Sequence, residues 1–288
     1  MVEEKITKTV QKTGGSRPDM GSIAGLIIAV VAIVGGLTLE GGKIKDIAQF
    51  TAAIIVLGGT SGAVLFSMPL KSVKGALRRL AGVFFEKSVS LDALIDELIG
   101  YATKARKSGL VSLEQDVEQI ADPFLKKALI LAVDGTDLQE MRKMLELVIE
   151  IEETNTDAEA RVFESAGGYA PTIGIIGAVL GLIQVMKNLA NIDEVGHGIA
   201  VAFVATVYGV GSANIFFLPA ATKIKARFAA EVHRKELIIE AISGIIEGLN
   251  PKLIRMKLEA YSDGAAPAKQ KQEAKKPLPA AQPADAKA

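Results

Sequence analysis

Apolar positions in this chain are gathered into four runs rather than dispersed. Met20–Leu39, Ile47–Leu70, Ser165–Met186 and Val195–Thr222 each lack any Asp, Glu, Lys or Arg. A helix needs roughly 20 mostly apolar residues to cross a hydrocarbon core about 30 Å thick, and every run reaches that length. The pattern predicts an all-α integral membrane protein with four transmembrane helices. A large charged segment lies between spans two and three, and a charged end follows span four.

The charged segment, Lys71 to Glu164, reads as amphipathic helices. Leu91, Leu94, Ile95, Leu98, Ile99 and Ala102 recur at three- and four-residue spacing, with Ser90 as the expected N-cap and Gly109 as the stop. Ser112 with Gln115 is a predicted capping box, Asp122-Pro123 ends or restarts a helix, and Thr136 with Gln139 is a second predicted box. The helix that follows, carrying Leu138, Met141, Leu145 and Val148, is expected to run unbroken into span three. Ile224, Phe228 and Val232 predict a matching helix leaving span four, the two forming a stalk below the bilayer. The organisation is therefore an arm (1–19), a transmembrane hairpin (20–70), a helical cytoplasmic domain (71–164), a second hairpin (165–222), a cytoplasmic helix (223–262) and an Ala/Pro/Lys/Gln tail expected to be disordered (263–288).

Orientation follows from basic residues beside the spans. Lys5, Lys8, Lys12 and Arg17 precede span one; Lys71, Lys74, Arg78 and Arg79 follow span two; Lys223, Lys225 and Arg227 follow span four. The two remaining connections are short and hold only Lys43, Lys45 and Lys187, so both termini are predicted on the cytoplasmic side. The first run is longer than a signal-peptide core and lacks a convincing A-x-A site, and is read as a retained span.

Composition narrows the function. The chain is 49% hydrophobic yet 23% charged, with a formal net charge of +0. There is no basic balance and no aromatic-and-basic stripe for nucleic acid. Without cysteine there is no thiolate chemistry, and with only His197 and His233 a metal site is not expected. No P-loop, H-E-x-x-H or serine elbow is present, so the chain does not read as an enzyme. An intramembrane carboxylate is the usual carrier of a proton or cation, and these spans have none. Spans three and four nonetheless hold Pro171, Thr172, Gln184, Thr206, Tyr208, Ser212, Asn214 and Pro219 among many glycines, as helices that line a path do. Gly177 with Gly181, and Gly58 with Gly62, are small-xxx-small pairs of the kind that let helices approach in lipid, with plain packing as the simpler account.

YAPTIGIIGAVLGLIQVM (Tyr169 to Met186) and GHGIAVAFVATVYGVGSANIFFLPAATKIK (Gly196 to Lys225) closely resemble spans three and four of the flagellar motor stator A subunits, the MotA family. ARKSGLVSLEQDVE (Ala105 to Glu118) looks like that family's cytoplasmic loop, and the likeness extends over roughly Met20 to Pro251. The arm before Met20 departs from it, since family members usually begin close to span one. The resemblance implies a proton- or sodium-driven torque generator of the bacterial inner membrane, needing no cofactor beyond the ion gradient. Five A subunits would surround two copies of a partner, MotB, which supplies the ion-carrying aspartate and the cell-wall anchor, and would turn against the rotor protein FliG.

By matching motif, Arg106 and Glu114 are the implied rotor contacts, with Lys104, Lys107 and Asp116 as further members of the patch. Without the family these would read as a solvated surface. Pro171 and Pro219 match the family's conformational prolines; alone, each is a kink or a helix boundary. Thr206 matches a threonine beside the partner's aspartate, against the plainer reading of back-bonding to its own helix. Ala178 occupies the position where sodium-driven members tend to carry threonine, and a methyl supplies no oxygen, which points to protons. The competing reading is an ExbB/TolQ-like energiser of outer-membrane transport, a class with three spans and without the Arg106/Glu114 loop.

Overall fold

A computed structural model describes residues 16–87 and 90–262. Residues 1–15 of the arm, and the tail from 263 on with its expected disorder, lie outside them. The chain forms β1 (Ser16–Pro18), then α1 (Met20–Leu39), α2 (Ile44–Ile47) and α3 (Phe50–Ser67), which contains a π turn at Ile54–Gly58. Next come α4 (Leu70–Phe84), β2 (Phe85–Lys87), α5 (Leu91–Ser108), a 3-10 turn (Leu110–Leu113), α6 (Glu114–Val117) and α7 (Pro123–Val133). Two long helices follow, α8 (Leu138–Lys187) and α9 (Ile192–Ile246, with a π turn at Ser212–Phe217), and α10 (Pro251–Ser262) closes the described part.

Among the described residues four helices are long and apolar enough to cross a membrane, and α1 coincides with the run read from sequence. Asp19 caps α1, its carboxylate accepting from Ser22 N at 3.0 Å. No residue of α1 is buried, which leaves this helix at the periphery. Span two is shorter than its uncharged run: Ile47 ends the separate α2, and the membrane helix starts at Phe50. The two stalk helices are continuous with their spans as expected, α8 over 50 residues and α9 over 55.

Among the described residues three clusters hold the fold. Leu98, Leu129, Met141, Leu145, Ile242 and Leu258 belong to the largest, the core outside the spans that packs α5, α7 and α10 on the lower halves of α8 and α9. Val64, Ala76, Val83, Phe163, Ala166 and Ile224 form a second where the spans meet the stalk. Ala52, Val56, Val204 and Ala205 make a small third between spans two and four. Each fully buried Leu or Ile contributes about 1.5–3 kcal/mol, so the cluster outside the spans supplies the bulk of water-driven stability, a term that vanishes between helices in lipid.

The capping signals partly mislead. Ser90 does cap α5, accepting from Ala93 N at 3.4 Å, Gly109 does end it at φ +80°, and Asp122 caps α7 with Pro123 in the first turn. Thr136 is not a cap. Asp137 takes that role, its carboxylate accepting from Gln139 N at 2.9 Å, because a carboxylate one residue later meets the free N–H groups of the first turn. Ser112 sits inside the 3-10 turn and donates back to Gly109 O at 2.6 Å, so it forms no box with Gln115.

Hydropathy gave no sign of the polar junction at the edge of the spans. β1 pairs antiparallel with β2, Ser16 opposite Lys87 and Pro18 opposite Phe85. Asp19 N donates to Phe84 O at 2.8 Å, and the Asp19 carboxylate meets Lys223 Nζ and Arg227 Nη2, both at 2.6 Å. Arg227 also donates to the carbonyls of Gly82 and Phe85. The start of span one, the end of α4 and the exit of span four are thus tied at one carboxylate. Lys223 first, then the Ser22 N–H and Arg227, hold the Asp19 carboxyl well below the usual carboxylate range. A carboxyl depressed in the folded state stabilises above its unfolded value and loses that contribution as pH falls. Asp19→Asn is accordingly expected to lower the thermal midpoint of the purified protein by a few degrees at pH 7, with the difference from wild type narrowing below about pH 4.

Candidate functional site

Spans three and four form an antiparallel hairpin joined by residues 188–191. Asn191 caps α9, accepting from Asp193 N at 3.2 Å, and Asn188 Nδ2 donates to Glu194 Oε2 at 2.8 Å. Along the hairpin the two backbones meet directly. A Cβ on Gly181 would stand 2.7 Å from Gly198 O, one on Gly174 2.9 Å from Ala205 O, and one on Gly209 2.5 Å from Ala170 O. Close approach of backbone to backbone is what these positions require of glycine, and van der Waals contact replaces the hydrophobic effect that lipid removes. Gly177, facing the Ala205 methyl, belongs to the same seam. Gly58 and Gly62 do not pack as a pair: a side chain at either would meet nothing within 4 Å, and it is Gly59 that lies against Ile173.

The expected path residues fall along this hairpin. Thr206 follows Ala205 and Ala178 follows Gly177, so both stand at the level where those two small residues meet, and each is half-buried. Thr206 Oγ1 donates to Ala202 O at 3.2 Å, the back-bonded state of a helical threonine. Its hydroxyl keeps its acceptor lone pairs.

Both prolines lie in the inner half. Pro171 is inside α8, where its ring removes the N–H that would bond the Gly167 carbonyl. Pro219 comes two residues after the end of the Ser212–Phe217 π turn, so its missing donor falls where the hydrogen-bond ladder of α9 changes register. Ala170 faces Gly209 and Gly167 lies under the Leu218 side chain, which sets the two prolines along one section of the hairpin. That section has a weakened ladder on both helices.

Tyr208 does more than pack. Its hydroxyl donates to Ile47 O at 2.6 Å and accepts from Gln49 N at 3.4 Å, satisfying the backbone at the break between α2 and α3. A lone phenol in an uncharged span was the available signal, because an unpaired polar group costs several kcal/mol in hydrocarbon. Asn214 donates to Val210 O at 2.9 Å, a bond within its own helix.

In the helical domain outside the spans, Arg106 lies in the last turn of α5 and Glu114 opens α6, on either side of Gly109. Both are exposed, and among the described residues neither enters an ion pair. Lys104 and Asp116 instead pair with each other at 2.7 Å across the turn and brace it. Buried Leu113 pins the turn to the core, and Lys107 is exposed beside Arg106.

The architecture is that of a four-span all-α membrane protein, with a close-packed, charge-free hairpin and a braced, charged tip outside the spans. Comparison with known proteins narrows this to a family. Residues 23–109 match "Motility protein A N-terminal", and residues 116–237 match the "MotA/TolQ/ExbB proton channel family". Motility protein A of Bacillus subtilis (strain 168) is 37% identical over 244 residues, covering 84% of this chain and 90% of that one. The C. jejuni MotAB structure aligns with a TM-score of 0.80 at 36% identity, and the flagellar MotAB stator complex from Bacillus subtilis with 0.78 at 37%; each covers 84% of this chain and 95% of the other. The chain belongs to the motility protein A group of the MotA/TolQ/ExbB proton channel family, and its function is that of a flagellar stator ion-channel subunit.

Backbone contact admits no rotamer escape. Gly209→Val is therefore expected to cost at least about 3 kcal/mol by overpacking, and Gly62→Val far less, when thermal unfolding of the two purified variants is compared.

Proposed function

We propose that this chain is the A subunit of a proton-driven stator in the bacterial inner membrane, with both termini cytoplasmic. The observation that carries the reading is the hairpin itself: helices built to line a path, with no charge of their own along it. The ion-carrying carboxylate then comes from a MotB-type partner, the kind of protein found with the A subunit in the C. jejuni and Bacillus subtilis MotAB structures. Five copies surround a dimer of that partner. Each proton crossing 100 mV releases about 2.3 kcal/mol, and no nucleotide or other cofactor is required.

Protonation of the partner's aspartate acts on the section flanked by Pro171 and Pro219, where fewer backbone bonds hold each helix to a single packing. Thr206, with its lone pairs open, hydrogen-bonds the acid as it passes. The stalk made by α8 and α9 carries the change to the tip, where Arg106 and Glu114 meet opposite charges on the rotor protein FliG. Long-range charge complementarity suits a contact that forms and releases at every step, since it sets encounter and register more than affinity. The transport-energiser alternative is not favoured, because residues 23–109 match the motility protein A N-terminal model.

Ala178 offers no oxygen to replace a sodium ion's hydration shell. Swimming that depends on this chain is expected to stop with a protonophore and to continue in sodium-free medium; the opposite response assigns sodium. Glu114→Lys is expected to abolish most torque in a tethered-cell assay while membrane insertion and co-purification with the partner stay at wild-type levels. Loss of assembly in that variant makes Glu114 structural instead.

A further inference from the structure

The helix α4 lies three residues beyond the end of span two and is amphipathic on both sides. Val73, Ala76, Leu80 and Val83 face the second cluster, beside Phe163 and Ile224. The opposite side presents Leu70 and Leu77, each 62% exposed, with Phe85 just beyond at 52%, and between them Lys71, Lys74 and Arg78. No acidic residue occurs from Leu70 to Phe85. Among the described residues Lys71, Lys74 and Arg78 enter no ion pair, whereas Arg79 on the inner side pairs with Glu159. Large apolar side chains and unpaired cations sharing one exposed face are costly in bulk water and favourable at a membrane surface, where the apolar groups enter the acyl boundary and the cations snorkel to phosphates.

Beside Arg78 this face runs into a crevice of about 490 Å³ between α4 and α9, with Arg79 and Arg227 on its walls and Ile224 and Phe228 on its floor. Its depth is set by the chain. Thr222 ends the uncharged part of span four, so Ile224 and Arg227 lie about 3 and 8 Å below that edge at 1.5 Å per residue. The headgroup zone of one leaflet is about 5–8 Å thick, and the crevice mouth falls within it. The acids nearby are already matched: Glu231, which lines the crevice, pairs with Lys235 at 3.1 Å, Glu159 with Arg79, and Asp19 with Lys223 and Arg227. Arg78 is left to bring net positive charge to an apolar-floored opening.

We propose that α4 and this crevice form a binding site for anionic phospholipid of the cytoplasmic leaflet. Lys71, Lys74 and Arg78 take the phosphates, Leu70, Leu77 and Phe85 enter the acyl boundary, and one headgroup seats beside Arg78. Because α4 is tied through Asp19 and Arg227 to spans one and four, bound lipid steadies the inner end of the span hairpin.

The test is thermal unfolding of the full-length protein in neutral detergent, titrated with dioleoylphosphatidylglycerol or dioleoylphosphatidylcholine. Phosphatidylglycerol is expected to raise the midpoint and phosphatidylcholine not to. The triple variant Lys71→Gln/Lys74→Gln/Arg78→Gln weakens the apparent affinity on the order of 100-fold. Lys71→Arg/Lys74→Arg/Arg78→Lys restores it and shows that charge, not fold, was lost. Lys127→Gln/Lys143→Gln/Lys252→Gln, which removes the same charge far from the membrane face, leaves it unchanged. Equal response of the α4 triple variant and wild type, or of the two lipids, overturns the proposal. So does equal stabilisation by inorganic phosphate, which assigns a free anion. A lipid-independent change in oligomer size in the α4 triple variant also overturns it, by making this face a contact between copies.

Discussion

Contact between the backbones of spans three and four is the constraint on which the rest of this molecule depends. In lipid there is no hydrophobic gain from bringing two apolar helices together, so their association rests on close fit. Gly181 against Gly198, Gly174 against Ala205 and Gly209 against Ala170 provide that fit. With the backbones this close, the hairpin acts as one body, and its register fixes where Ala178, Thr206 and the two prolines stand. The uncharged interior follows from the same economy: a hairpin that carried its own buried acid would have to hold it without water. In the proposed mechanism a second protein brings the acid, and the seam stays dry and tight.

Stability and motion are then divided between different parts of the chain. The cluster around Leu98, Leu129, Met141 and Ile242, outside the spans, is the water-driven core, and it clamps the lower halves of α8 and α9. Lys235, 3% exposed, is held there by Glu152 and Glu231 and lies 5.5 Å over the Phe124 ring, so even its charge is fixed in place. Above that core, Pro171 and the π turn before Pro219 loosen both helices of the hairpin at one section. A rigid lower stalk with a softened section above it has the form of a lever.

Much of this was legible in the sequence for physical reasons. The absence of charge marks spans because a bilayer penalises charge residue by residue, and α1 begins and ends where its run does. Continuity of α8 and α9 through the membrane surface was readable because apolar positions kept helical spacing on both sides of it. What escaped depended on tertiary geometry. Thr136 and Asp137 are both able to cap, and only the chain's path decides between them. Gly58 and Gly62 have the same spacing as Gly177 and Gly181, yet they face nothing within the chain, because spacing says which residues share a side but not what that side meets. The β1–β2 pair is three residues long and too short for an alternating pattern. Tyr208 reads as packing until the break between α2 and α3 supplies the carbonyl it serves. Arg106 and Glu114 carry no mark of function in composition or periodicity; the family's motif singled them out, and the fold leaves both exposed on a braced turn.

The measurement that tests the central claim most directly is swimming, scored together with filament staining, in cells lacking this chain and any second stator set, with and without the chain restored alongside its partner. A stator subunit predicts paralysed cells with normal filaments, rescued when this chain is returned alongside its partner. Normal swimming in the deleted strain, with loss of energy-dependent uptake across the outer membrane, would contradict it.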